Sequence, residues 1–218
     1  MLYVVATPIG NLEDLSARAE RILREADLVL AEDTRQAAKI LSYIKTGKKA
    51  VSFHEHSGGG KLEWAISELV SGKNIAYLTD AGTPNLSDPG GKLVEAAIEA
   101  GVKVSPIPGP SALTALISVA PFSCQNFIFL GYFPKKKGRE KMVVTIRNLD
   151  VPVFFFESPH RIKKTIDFLS ERLPEHKILI GRELTKKFEE IIFCDLTDKE
   201  TLEKMISKGE FVFALVKL

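Results

Sequence analysis

The sequence is poor in cysteine, with only Cys124 and Cys194 among 218 residues. The two lie far apart in apolar surroundings, so they indicate neither a disulfide framework nor a zinc site with closely spaced ligands. No apolar run is long enough to cross a bilayer, and the N-terminus has no charged region followed by an apolar signal core. We therefore expect a protein of the reducing cytoplasm with no membrane contact.

The chain also has little net charge, because 30 Lys and Arg residues face 28 Asp and Glu residues, which leaves +2 at pH 7. That balance gives no global electrostatic argument for binding nucleic acid. Basic residues are nevertheless concentrated in two short segments, 135–141 and 161–164. At this point the segments are equally consistent with an ordinary solvated surface and with phosphate contacts.

Apolar runs and amphipathic stretches alternate along the first part of the chain. LYVVAT, DLVLAE, AVSFHEH, NIAYLT and KVSPIP have the character of strands. The segments between them carry apolar residues at helical spacing, and one of these predicted helices runs from Thr34 to Tyr43. This alternation predicts a mostly parallel sheet covered by helices. The pattern pauses at PFSCQN, which predicts a domain boundary there. We therefore predict two α/β domains with a cleft between them, residues 1–122 and 123–218. The second should have a mixed sheet, because short links join its last three predicted strands, KILIGREL, FEEIIFCDL and FVFALVKL.

Several common site motifs are missing. SGGGKL (57–62) is not a phosphate loop, because that motif needs Gly where Glu55 stands and Ser or Thr where Leu62 stands. No GxGxxG follows the first strand, and no GxSxG elbow occurs. His54 and His56 would face the same side of a strand, but no third ligand is evident nearby, so we expect no metal site.

What remains is a group of loops rich in Gly and Pro at the carboxyl ends of the predicted strands. They are TPIGNL, AEDTR, TDAGTPNLSDPG and PIPGPSA. Ligands of open parallel sheets bind outside the carboxyl ends of the strands. Glycine lets the backbone approach a ligand closely, and proline holds the loop rigid. Four ordinary turns would be the plain alternative, but their common location favours a binding site. Such loops can recognise an adenosine and an amino acid through backbone groups.

These segments together resemble a known family. YVVATPIGNLEDLSARA, LAEDTR, SFHEH, TDAGTPNLSDPG, PIPGPSA, FIFLGYFP, FFESPHR and GRELTKKFEE are similar, in this order, to the tetrapyrrole methylase superfamily. Within it they resemble the 16S rRNA 2′-O-ribose cytidine methyltransferases. The resemblance implies a two-domain α/β fold, S-adenosylmethionine (SAM) in the cleft between the domains, and a homodimer. It also implies that the substrate is cytidine 1402 of 16S rRNA in the small ribosomal subunit.

The resemblance also implies which residues bind SAM. AGTP (81–84) stands where related tetrapyrrole enzymes have an SGDP-type loop, with Thr83 in place of the aspartate. The expected contacts are Pro8, Ile9, Asp80, Gly82, Thr83, Leu86, Ser111, Ala112, Phe155 and Phe156. The loop contains TPN where the family more often has TPG, so Asn85 is expected to adopt a positive φ.

For the reaction, the resemblance draws attention to ESPHR (157–161), at the end of a strand in the second domain. A ribose 2′-hydroxyl is a poor nucleophile and benefits from a base or from stabilisation of the developing alkoxide. Glu157 is the first candidate for the base and His160 the second, and Arg161 would hold a phosphate. The alternative for Glu157 and Arg161 is a structural ion pair. A wider ring of polar residues has no individual roles that the sequence assigns: Asp33, Arg35, His54, Glu55, Asp80, Arg182, Glu183 and Lys186.

Contacts with RNA phosphates would come from KKKGREK (135–141), which follows a predicted strand of the second domain. Tyr132 is a candidate for stacking on a base, whereas Phe133 is expected in the core. Two alternatives remain open. A SAM-dependent methylase of tetrapyrroles or other small molecules would need an enclosed acceptor pocket. A catalytically idle RNA-binding module would keep the basic segment and bind no SAM.

Overall fold

The structure, a computed structural model, describes residues 1–54, 59–205 and 207–217. The chain forms two compact units, Met1–Ser111 and Ala112–Leu218. The division lies earlier than the boundary at 122/123 that the sequence suggested. The reason is helix α5 (Ala112–Ser118), which packs on the sheet of the second unit. A Cβ on Gly181 of that sheet would lie only 2.9 Å from Leu116 Cδ1.

The first unit is a parallel sheet with an apolar core on each face. Its strands are β1 (Leu2–Val5), β2 (Leu28–Ala31), β3 (Ala50–Ser52), β4 (Ile75–Leu78) and β5 (Val104–Ile107), in the order β3-β2-β4-β1-β5. Its helices are α1 (Ala17–Glu25), α2 (Thr34–Tyr43), α3 (Gly59–Val70) and α4 (Gly91–Glu99). All the strand pairs are parallel, which confirms the predicted sheet.

Local sequence explains where the helices of this unit begin. The Ser16 hydroxyl accepts a hydrogen bond from the Ala19 N–H at 3.1 Å and caps α1. The Asp33 carboxylate accepts one from the Arg35 N–H at 2.8 Å and caps α2. Because β2 ends only two residues before Asp33, this cap holds the start of α2 at the carboxyl edge of the sheet.

The second unit is built on a mixed sheet, as the sequence predicted. Its strands are β6 (Ile128–Tyr132), β7 (Val153–Glu157), β8 (His176–Arg182), β9 (Glu190–Asp195) and β10 (Phe211–Lys217), in the order β6-β7-β10-β8-β9. Only the β6–β7 pair is parallel. Its further helices are α6 (Arg139–Arg147), α7 (Ile162–Ser170) and α8 (Lys199–Lys204). They pack on one face of the sheet, over a core that includes Phe155, Ile180 and Phe213.

Candidate functional site

The loop after β4, residues 79–90, has a backbone that requires its unusual composition. Gly82, Asn85, Ser87 and Gly90 have φ values of 77°, 71°, 65° and 139°. L-residues with a Cβ rarely adopt this region, and Gly and Asn adopt it most readily. The prediction of a positive φ at Asn85 is confirmed. Gly90 also has no room for a side chain, because a Cβ there would lie 2.8 Å from the Tyr77 ring.

Two neighbouring loops are tied to this one by hydrogen bonds. Thr7 and Gly82 form a two-residue antiparallel bridge, in which each N–H donates to the other carbonyl at 2.9 Å. The Thr83 hydroxyl donates to the carbonyl of Pro110 at 3.2 Å. A Cβ on Gly82 would lie 3.4 Å from Ile9 Cγ2. The loops after β1, β4 and β5 therefore form one connected structure at the carboxyl edge of the sheet.

This edge contains a buried polar atom and small residues. Thr7 has no exposed surface, and within the described residues its hydroxyl has no hydrogen-bond partner. Buried hydroxyls are normally paired, so this oxygen is available to a bound molecule. Pro8, Ile9 and Leu86 are partly exposed around it, Thr83 is exposed, and Ser111 is buried. Backbone groups and short side chains thus dominate the lining.

The neighbouring part of the edge, at the ends of β2 and β4, carries several carboxylates. Asp80 accepts a hydrogen bond from the Asp33 N–H at 3.1 Å. Burial, followed by the charges of Asp80 and Asp88, raises the pKa of Glu32. Hydrogen bonds from Arg35 lower the pKa of Asp33 to about 2. Asp33 and Arg35 therefore form an ion pair with each other at this edge.

The strand that would place His54 and His56 on one side is shorter than predicted. β3 ends at Ser52, so the strand predicted over AVSFHEH is shorter than expected, and His54 is exposed beyond it. Glu55 and His56 lie outside the described residues. Within the described part of the chain, no three His, Cys, Asp or Glu side chains are grouped so that they could hold a metal ion.

In the second unit, one edge of the sheet collects the motifs that the sequence singled out. β7 and β8 both pair antiparallel with β10, so they run parallel to each other and to β6. Phe211, the first residue of β10, is paired with Glu157 on one side and Arg182 on the other. The segments after β6, β7 and β8, which contain KKKG, SPHR and ELTKKF, therefore lie along one edge.

Glu157 faces the helices, and the structure favours the ion-pair interpretation over a base. It is 2% exposed, and its carboxylate accepts hydrogen bonds from the Thr165 hydroxyl and the Ser158 N–H, both at 2.7 Å. It also forms an ion pair with Arg161. Arg161 in turn donates to the carbonyl of Phe133 at 3.0 Å, so its guanidinium stabilises the loop and is not placed to bind a phosphate. His160, the second candidate, is exposed.

Phe155 and Phe156 point to opposite faces of β7. The ring of Phe155 is fully buried in the core, with centroids 5.7 Å from Phe133 and 5.3 Å from Phe213. It therefore cannot line a ligand site. Phe156 lies on the other face, partly exposed, with its ring 4.9 Å from that of Phe129. Successive residues of a strand alternate between faces, so only one of this pair was able to face a ligand.

Past β8, a network of charged groups holds the loop 183–189. Lys186 Nζ lies 2.9 Å from both Glu183 Oε1 and Glu210 Oε2. Burial by itself would lower the pKa of Lys186, but the hydrogen bonds and charges of Glu183 and Glu210 outweigh burial and raise it. Arg182 pairs with Glu190 at 2.7 Å. Lys186 is thus a fixed cation at this edge and cannot act as a base at neutral pH.

The basic segment 135–141 divides into a packed and an exposed part. The guanidinium of Arg139 lies 4.0 Å from the centre of the Phe168 ring and contributes to packing between α6 and α7. Lys135, Lys136 and Lys137 are exposed, and Tyr132 before them is 58% exposed. Phe133 is 1% exposed, which confirms its predicted place in the core.

Sequence reasoning missed three residues of these edges: Thr7, Phe188 and Glu210. Thr7 follows a buried strand directly, and this position was a usable signal. Phe188 was assigned to a strand, whereas β9 begins only at Glu190. Nothing in the sequence around Glu210 indicated a role, because Glu210 reaches Lys186 only through the pairing of β10 with β8.

The chain matches the sequence profile of the family described as Tetrapyrrole (Corrin/Porphyrin) Methylases over residues 1–200. It is 41% identical over 218 residues to ribosomal RNA small subunit methyltransferase I of Halalkalibacterium halodurans, covering 96% of this chain and 73% of that protein. The protein of the same name from Thermotoga maritima is 40% identical over 215 residues, covering 98% and 97%. The one from Borrelia garinii subsp. bavariensis is 42% identical over 215 residues, covering 97% and 96%.

Solved structures share the fold at low sequence identity. Diphthine synthase superposes with a TM-score of 0.76 at 17% identity, covering 100% of this chain and 90% of that one. Uroporphyrin-III C-methyl transferase from Thermus thermophilus, in complex with S-adenyl homocysteine, gives 0.66 at 17% identity, covering 98% and 96%. A parallel α/β unit with a loop-built carboxyl edge, followed by a mixed-sheet unit, defines a methylase-type α/β fold. The chain belongs to the tetrapyrrole methylase family.

Proposed function

We propose that this protein is a SAM-dependent methyltransferase that methylates the 2′-hydroxyl of a cytidine ribose in 16S rRNA. By family resemblance the acceptor is position 1402, within the small ribosomal subunit. The observation that carries the proposal is the 40–42% identity, over nearly the whole chain, to proteins named ribosomal RNA small subunit methyltransferase I. A likeness at 17% identity to tetrapyrrole enzymes supports the fold alone, so a small-molecule acceptor is the weaker alternative.

The carboxyl edge of the first unit fits the methyl donor. SAM contains an adenosine and an amino acid, which need hydrogen-bonding groups and close approach of the chain. The unpaired Thr7 hydroxyl offers the first, and the cradle at Gly82, which has no side chain, allows the second. We propose that SAM is held by Pro8, Ile9, Asp80, Gly82, Thr83, Leu86, Ser111, Ala112 and Phe156.

When bound, SAM supplies an electrophilic methyl group to an in-line displacement, in which alignment and exclusion of water provide much of the rate. The acceptor hydroxyl must lose its proton, and His160 is the remaining candidate for that role because Glu157 is fully engaged. Lys186 stays cationic because its pKa is raised, but it is bound by both Glu183 and Glu210, so its charge orders the loop and is not offered to the acceptor.

The deciding experiment is methyl transfer from radiolabelled SAM to small ribosomal subunits that lack the modification, followed by alkaline hydrolysis. A 2′-O-methyl group blocks cleavage at its own nucleotide, so we expect the label in an alkali-resistant dinucleotide that begins with cytidine. Subunits that already carry the methyl group are the matched control. Label in an alkali-sensitive product would exclude the 2′-oxygen. SAM binding without transfer to RNA would favour the small-molecule alternative, and absence of SAM binding would favour an idle RNA-binding module.

We also propose that the protein works in the cytoplasm as a homodimer. Over residues 1–54, 59–205 and 207–217, no helix is long and apolar enough to span a bilayer. Ile191 and Phe193 on the outer strand β9 are 43% and 37% exposed, and an apolar sheet edge of this kind suits contact between copies. Sedimentation equilibrium tests the dimer; a monomer at micromolar concentration would contradict it.

A further inference from the structure

Phe188 is the most exposed large hydrophobic side chain in the described part of the chain, at 66%. It lies in the loop 183–189 between β8 and β9, near the tip of the edge that carries the basic and polar motifs. Aromatic side chains are usually buried, and a solvent-exposed one beside a candidate site commonly contacts a binding partner. The neighbouring Lys187 ammonium lies 5.7 Å from the centre of the ring.

The loop that presents Phe188 is held in one conformation. Glu183 and Thr185 have φ values of 50° and 66°, and the Thr185 N–H donates to Glu189 Oε2 at 2.6 Å. Glu183 Oε1 accepts hydrogen bonds from Lys186 Nζ and the Glu210 N–H, both at 2.9 Å. Because these bonds hold the loop backbone, little loop entropy is lost when Phe188 binds a partner.

Within the described residues, the carboxylates around Phe188 are engaged, Glu189 by the Thr185 N–H alone and the others by cations. Glu183 and Glu210 bind Lys186, and Glu190 binds Arg182. Several nearby lysines have no carboxylate within ion-pair distance among the described residues. These are Lys187, Lys208 and the three lysines at 135–137. The loop therefore offers an anionic partner an aromatic face beside unneutralised cations.

The exposed ring of Tyr132 lies on the same edge, at the end of β6. Strand order β6-β7-β10-β8 places three strand spacings between β6 and β8, which is about 14 Å. Two aromatic groups separated by lysines along one edge match the pattern of single-strand binding, in which bases stack on rings and phosphates meet cations. A two-fold contact between copies through this loop would instead bring their Lys187 side chains towards each other.

We propose that Phe188 is a base-stacking residue for single-stranded RNA, and that Lys187 and Lys208 contact the adjacent phosphates. The proposal rests on the proposed function, because it identifies residues with which the same enzyme would bind its RNA substrate. It assigns the contact to the β8–β9 loop, in addition to the lysines at 135–137.

The test compares Phe188→Ala, Phe188→Leu and Phe188→Tyr with the control Tyr43→Ala. Tyr43 is 47% exposed on α2 in the first unit, so it matches the loss of an exposed ring away from the proposed contact. Binding of a short, fluorescently labelled single-stranded RNA is measured by anisotropy at fixed salt. SAM affinity, sedimentation and methyl transfer to small subunits are measured alongside.

We expect Phe188→Ala to weaken RNA binding by about 5- to 150-fold, the equivalent of about 1–3 kcal/mol for one stacked base. Phe188→Leu should behave like the Ala variant, since it keeps apolar bulk but has no ring, and Phe188→Tyr should bind as the parent protein does. Tyr43→Ala, SAM affinity and sedimentation should not change.

Three results would overturn the stacking role: full RNA affinity in Phe188→Ala, full affinity in Phe188→Leu, or a changed oligomeric state in either. The last would identify Phe188 as a contact between copies. If the parent protein methylates small subunits and the Phe188 variants do so equally well, only this inference fails. If the parent neither binds RNA nor transfers the methyl group, the proposed function fails with it.

Discussion

Replacing Glu157 separates its two candidate roles. In Glu157→Ala, the Thr165 hydroxyl, the Ser158 N–H and the Arg161 guanidinium lose their common acceptor. The Glu157 side chain is fully buried and that of Arg161 is 23% exposed, so the remaining cation is only partly hydrated. Removal of one partner from a buried ion pair costs about 3–5 kcal/mol. For a chain of this length that lowers the melting temperature by about 6–20 °C.

Glu157→Gln should cost less, about 1–2 kcal/mol. Its carbonyl oxygen can still accept from Ser158 and Arg161, and its amide can donate to the Thr165 hydroxyl, so only the charge is lost. Calorimetry gives the stabilities, and methyl transfer is measured at a temperature at which every variant is folded. Glu140→Gln is the control, because that carboxylate pairs with Arg172 but is 71% exposed, so about 0–1 kcal/mol is expected.

The methyl-transfer activity of Glu157→Gln distinguishes a structural carboxylate from a catalytic base. General-base catalysis contributes about 100-fold or more, whereas the structural role predicts that folded Glu157→Gln keeps more than about a tenth of the rate. If the Gln variant is folded at the assay temperature, loses no more than the expected ~1–2 kcal/mol of stability (about 2–8 °C) and transfers no methyl group, the carboxylate reacts and our interpretation is wrong.

Three further perturbations test the SAM cradle, the RNA contact and the pH response. Gly82→Val should weaken SAM binding at least tenfold by calorimetric titration. Gly101→Val is the control, because Gly101 has a similar φ of 71° but no atom within 4 Å of a Cβ, so this variant should lose only stability. Equal SAM affinities of the two variants would show that Gly82 does not line the SAM site. Alanine at all three lysines of 135–137 should reduce the salt slope of RNA binding by about 2 and leave SAM affinity intact; an unchanged slope would mean that these lysines make no phosphate contact. Burial lowers the pKa of His176 below 6.5, so its contribution to stability is complete above that pH and is lost as the pH falls. Between about pH 7 and pH 5 the melting temperature of His176→Leu should therefore fall less than that of the parent protein, and parallel curves would contradict this assignment.

Local sequence was sufficient where the physical signal is local. The helix predicted over Thr34–Tyr43 has those bounds in the structure, because Asp33 caps it and its apolar residues recur at helical spacing. The parallel sheet followed from the alternation of strands and helices, and the positive φ of Asn85 from its place in a turn.

Strand ends and domain boundaries were harder to predict from the sequence, because contacts with residues distant in the chain determine them. KILIGREL was expected to continue as a strand, but β8 ends at Arg182, where Glu183 takes a positive φ and binds Glu210 on another strand. α5 was assigned to the first domain, yet its apolar face packs on the sheet of the second unit.

The sequence alone determined which motifs we propose as functional: TDAGTPNLSDPG, ESPHR and GRELTKKFEE were recognisable from residue types and their order. Tertiary structure alone decided what single side chains do within them. The pleat of β7 turns Glu157 and Phe155 into the helix-side core and leaves Phe156 on the other face. Strand pairing brings Glu210 to Lys186 and places Phe188 on the edge shared with Tyr132. A sequence motif consists of adjacent residues and can be recognised directly. The direction of each side chain, in contrast, depends on which strands and helices pack against it.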